Sequence, residues 1–124
     1  MSQVMNSGNG GGGGGLGFTW IVTFAPAINI VNGYGYIPMS GLPLQTFRLP
    51  VASAVGDSFA IAGESNWRII QGVGQIVEIG NMASTPGLGG SWSSTNLTDM
   101  VIFVCIDPNT VWKAVSVIGM PAPI

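Results

Sequence analysis

A chain of 124 residues is one domain's worth. It is 47% hydrophobic, contains 20 glycines and no histidine, and has only three basic and five acidic side chains, for a net charge of −2. A monomer of this mass exposes roughly 6,200 Å², so these charges amount to about one per 800 Å², far short of what keeps a small domain apart from its copies in water. The cations Arg48, Arg68 and Lys113 are too few and too scattered for nucleic acid or an anionic membrane, both of which need a basic stripe. The longest apolar run, residues 100–106, falls well short of the roughly 20 residues needed to span a bilayer.

Residues 1–17 are read as a Gly-rich segment that is flexible or reaches an adjacent subunit, with glycine at every position from Gly10 to Gly15. The start has neither a cationic region nor an apolar run, so no cleavable signal peptide is expected. Residues 18–119 are expected to form an all-β domain. Residues 18–24, rich in aromatic and β-branched side chains, give the first strand. A short strand then enters a tight turn at Asn32-Gly33. Pro38, Pro43 and Pro50 punctuate a segment expected to be extended or an edge strand, because proline cannot donate to a ladder.

From Gly56 onward one pattern is written twice. Asp57 opens an apolar run that passes a turn at Glu64-Ser65-Asn66 and continues with Trp67 and Arg68. Asp99 opens another that passes Asp107-Pro108-Asn109 and continues with Trp112 and Lys113. Each copy predicts a hairpin, and the spacing fits a repeated unit. Between them lie a short strand at residues 75–79 and a long loop at 80–96 carrying Trp92. Residues 100–106 are apolar at every position, so both faces of that strand are expected to be covered, one by its own subunit and one by a neighbour. Residues 120–124 read as an extended C-terminal tail. No segment has helical spacing with caps. The expected fold is therefore all-β, with short antiparallel strands and two similar hairpins, as a β-sandwich or β-prism-like protomer in an intertwined homo-oligomer.

The chemistry of common active sites is missing from the residue list. Without histidine the usual triads and zinc sites lack their base and ligand. Ser58 and Ser91 have glycines nearby, but neither sits in the Gly-x-Ser-x-Gly of a nucleophile elbow. The glycine tract follows no strand and lacks the Lys-Ser/Thr ending of a phosphate cradle. Asp57, Glu64, Glu78, Asp99 and Asp107 could in principle supply a catalytic pair, but Asp57 and Asp99 are read as strand starts and Asp107 as a turn residue before Pro108. No enzyme, cofactor or metal site is expected. Cys105 is alone, which excludes an internal disulfide, and reads as a small buried hydrophobe.

Over roughly residues 50–119, the Gly56-Asp57 start, Gly63, Asn66-Trp67, Gln71, Gly74-Gln75, the Thr85 to Ser91 turn and the second copy from Ser94 to Ser116 resemble a β-structured module of phage tail-fibre-like proteins and some bacterial surface fibre proteins. The resemblance implies an elongated β oligomer, usually a trimer, in a virion or at a cell surface, with no catalytic residue. The chain is accordingly expected to be a structural subunit of a phage fibre or extracellular filament whose partner is itself. Val101, Phe103, Cys105, Trp67 and Trp112 are the expected subunit-interface residues. The alternative is a glycan- or receptor-binding module in which Tyr34, Tyr36 and Trp92, set in Gly- or Ser-rich loops, stack on sugar rings.

Overall fold

A computed structural model of the chain describes residues 17–39, 41 and 43–124. The expected intersubunit segment at residues 1–17 therefore lies outside the described residues except for Gly17. Among the described residues the fold is all-β, with twelve strands: β1 Thr19–Thr23, β2 Ala27–Asn29, β3 Tyr34–Pro38, β4 Gln45–Arg48, β5 Ser58–Ala62, β6 Trp67–Ile70, β7 Ile76–Ile79, β8 Met82–Ala83, β9 Ser91–Ser93, β10 Met100–Asp107, β11 Val111–Ile118 and β12 Ala122–Pro123. They form two mixed sheets in a sandwich-like layout. One has seven strands in the order β1-β3-β5-β10-β11-β7-β8, and the other has five in the order β12-β9-β6-β4-β2.

The first six strands alternate between the sheets. β1, β3 and β5 stack in parallel in one, and β2, β4 and β6 stack in parallel in the other. The chain thus begins as a flattened coil of three turns. The coil ends where the antiparallel pair β10–β11 enters the seven-stranded sheet, placing β10 against β5 and β11 against β7.

Alternating side chains fix which face looks inward. In β4 Gln45 and Phe47 are buried, and in β6 Trp67 and Ile69 are buried. Across the layer β10 contributes Val101, Phe103 and Cys105. Together they make one core: Tyr36 meets Phe47 across the layer at 5.4 Å between ring centroids, and Phe59 meets Phe103 at 5.4 Å and Trp112 at 5.1 Å.

Several expectations change. Many strand pairs are parallel, and only the second of the two anticipated hairpins is one. β5 and β6 lie in different sheets, so the Glu64-Ser65-Asn66 turn is an arch. A hairpin would have set Phe59, Ile61, Trp67 and Ile69 side by side on one sheet face, whereas the arch lets all four bury completely across the core. The proline-punctuated segment also contains an interior strand: β4 is paired on both sides, by β2 and β6. Pro43 and Pro50 flank its four residues and never face a ladder. Within the long loop, β9 pairs with β6. The C-terminal tail is itself the strand β12, laid on β9 and held by Ile124, whose N–H donates to the Ser91 carbonyl at 2.9 Å.

Candidate interaction surface

The three rings expected to meet a ligand are differently placed. Trp92 is 1% exposed and donates its indole N–H to the Val77 carbonyl at 2.9 Å. Tyr36 is 2% exposed, and its hydroxyl accepts from the Val31 N–H at 2.7 Å. Burial raises the Tyr36 pKa; that hydrogen bond opposes the shift and the neighbouring Tyr34 adds to it. Both rings are committed to the protomer. Tyr34 alone is partly exposed, stacked on Tyr36 at 6.1 Å.

The five residues expected at a subunit interface lie elsewhere than anticipated. Val101, Phe103, Cys105, Trp67 and Trp112 are all 0% exposed, at the centre of the chain's own core. A continuously apolar strand offers no alternation to show which set points inward, and the set that remains on the outside is Met100, Ile102 and Val104, each half-buried.

The acidic residues are likewise dispersed. Asp57 accepts from the Ala54 N–H at 3.0 Å, just ahead of β5. Asp107 begins the β10–β11 turn, its carbonyl accepting from the Thr110 N–H at 3.1 Å. Glu78 pairs with Lys113 at 3.3 Å. Asp99 is 1% exposed; burial works against its charge, but donors from the Thr95 and Asn96 main chain and the Asn96 side chain outweigh it and hold its pKa below the usual carboxylate value. Among the described residues no three His, Cys, Asp or Glu side chains group to hold a metal. No helix there is long and apolar enough to cross a membrane.

The chemistry that separates one part of the surface from another lies on the two outer sheet faces. On the five-stranded sheet, register aligns Thr46, Arg68, Ser93 and Ala122 in one outward row and Asn29, Arg48, Ile70 and Ser91 in the next. That face holds two of the chain's three cations, and the Arg68 Nε donates to Ser93 Oγ at 2.9 Å. It is dressed for water.

The seven-stranded sheet is not. One outward row runs Trp20, Gly35, Ala60, Ile102 and Ser116 across five strands. The Trp20 ring lies where a side chain at Gly35 would stand, so glycine here is what lets the indole lie flat on the sheet. A second row runs Ser58, Val104, Lys113, Glu78 and Ala83, and a third Ala62, Met100 and Ile118. The only charges in these rows are the Lys113–Glu78 pair. At the irregularity in β11 between Ala114 and Ser116, the extra residue Val115 is left 64% exposed.

A contiguous exposed apolar patch of more than a few hundred Å² marks an interaction site, whereas scattered apolar side chains are ordinary on a protein surface. No protein-family model matches the chain, and no curated protein matches it.

Proposed function

We propose that the chain is a structural subunit of a phage fibre or extracellular filament, and that copies assemble into a homo-oligomer through the outer face of the seven-stranded sheet. The observation that carries this reading is the contrast between the faces: cations and hydroxyls on the five-stranded sheet, and Trp20, Ile102, Val104, Met100 and Ile118 on the other. Removing such a face from water stabilises an assembly by roughly 25 cal/mol per Å² of apolar surface before ordering costs. Three copies is the number implied by the resemblance to tail-fibre-like modules, and a virion or cell surface is the implied location. Sedimentation of the untagged chain tests the reading. The expected mass is a multiple of the single chain, reduced on Ile102→Lys. A wild-type chain that stays single at micromolar concentration overturns it.

The alternative, a glycan-binding module, would have Tyr34 as its one partly exposed ring among the three expected. A glycan array reads it directly: hits lost on Tyr34→Ala would favour it over the structural role.

A further inference from the structure

The Lys113–Glu78 pair stands on adjacent parallel strands, with Lys113 of β11 level with Glu78 of β7. Along the same row Val104 lies on the far side of Lys113, and Ala83 on the far side of Glu78. One level along, Val111 and Ile76 are neighbours in the same two strands. Trp112 and Val77, between the two levels, point into the core, so Val111, Lys113, Ile76 and Glu78 all lie on the outer face. This patch has a symmetry of its own. A half-turn about an axis parallel to the strands, lying midway between β11 and β7, exchanges apolar for apolar and cation for anion.

We infer that a second copy of this chain docks on this patch through that two-fold axis. Two such faces stack about 10 Å apart. The half-turn places Glu78 of the partner subunit over Lys113 and Lys113 of the partner subunit over Glu78. It also sets Ala83 of the partner subunit over Val104 and Ile76 of the partner subunit over Val111. The four charges then alternate round a square, each with an opposite neighbour in its own chain and another across the interface.

In the single chain the pair is partly open to water, with side-chain exposures of 43% and 32%, and an ion pair so placed stabilises little. Its use is in selection. A like-charged arrangement across an interface is strongly disfavoured, so the square fixes the one orientation in which the apolar rows coincide. The one other ionised group in the outward rows of this sheet is Asp107, which lies on the far side of Val111 from Ile76, at the level of the apolar pair and not of the charges.

This rests on the reading of the chain as a self-assembling subunit and assigns the surface through which it pairs. The contact is two-fold, so on its own it makes pairs; a trimer built on another part of the face would be doubled by it.

Charge exchange in trans tests the arrangement. Lys113→Glu turns the square into four acids and Glu78→Lys turns it into four bases, so each variant alone is expected to associate at least tenfold more weakly than wild type. An equimolar mixture restores both opposite-sign contacts across the interface between unlike chains and is expected to recover association. The recovered species should contain one chain of each kind, read by sedimentation and native mass spectrometry. A structural role of the pair inside one chain cannot give this rescue, because neither variant regains its internal partner.

The inference is overturned if either variant alone associates as wild type does, or if mixing gains nothing. If wild type is oligomeric and the reversals leave its mass unchanged, this contact is wrong while the proposed function stands. A wild-type chain that is single at every concentration removes both.

Discussion

The indole N–H of Trp67, at the start of β6, donates to the main-chain carbonyl of Asp99, immediately before β10, at 3.0 Å in the core. It ties the two sheets together at the mouth of the arch that follows β5. Ser94 completes the junction, its hydroxyl accepting from the Trp67 N–H at 2.9 Å. Trp112, as fully buried, has no acceptor for its own indole N–H among the described residues. Replacing either tryptophan by phenylalanine removes the same atoms, but only Trp67→Phe breaks a buried hydrogen bond, leaving the Asp99 carbonyl with the Gly63 N–H alone at 3.2 Å, while Trp112→Phe removes a donor with no acceptor among the described residues. Trp67→Phe should therefore cost about 1–2 kcal/mol more than Trp112→Phe in denaturant unfolding, and equal losses would contradict the assignment.

Asp99 supplies a pH dependence. Its folded-state pKa lies below the ordinary 3.8, so its contribution to stability is complete above that value and is lost as pH falls through the folded one. Asp99→Asn should cost about 1–3 kcal/mol near neutrality, and the gap to wild type should narrow steadily below about pH 4. Melting temperatures from pH 7 to pH 2 check this; a gap independent of pH would sink it. Gly119 reaches the same carboxylate from the other side. It has φ of 94°, and a side chain there would collide with Asp99, so Gly119→Ala should also destabilise the fold.

Gly35 is the floor on which Trp20 lies. Gly35→Ala forces the indole off the sheet face, at a cost of about 1–3 kcal/mol if the ring cannot resettle. Tryptophan emission from a chain in which Trp67, Trp92 and Trp112 are already buried reports it: a red shift is expected, and an unchanged spectrum with unchanged stability would show that the ring has room elsewhere.

The contrast between the outer faces predicts unequal tolerance to charge. Thr46→Lys, on the face that already carries Arg48 and Arg68, should leave stability within about 0.5 kcal/mol and the sedimenting mass unchanged. Ile102→Lys should leave the single chain folded, since Ile102 is on the outer row, and reduce the mass. If both variants sediment alike, the apolar face is not where copies meet.

The residues alone were enough for the class and for most strand positions. β-Branched and aromatic runs bounded by glycine, asparagine and proline have one economical backbone conformation, and β1, β5, β6, β7, β10 and β11 lie where those runs are. They also showed that charge is too scarce for an ordinary surface. They did not show which sheet each strand joins. A turn such as Glu64-Ser65-Asn66 serves equally as a hairpin or an arch, and the choice follows from where Phe59, Ile61, Trp67 and Ile69 can all be covered, which is a property of the whole core. For the same reason the tertiary structure alone assigned inside and outside along β10. In a strand with no polar position to mark water, only packing against the opposite sheet could send Val101, Phe103 and Cys105 inward and leave Ile102 and Val104 on the outer face.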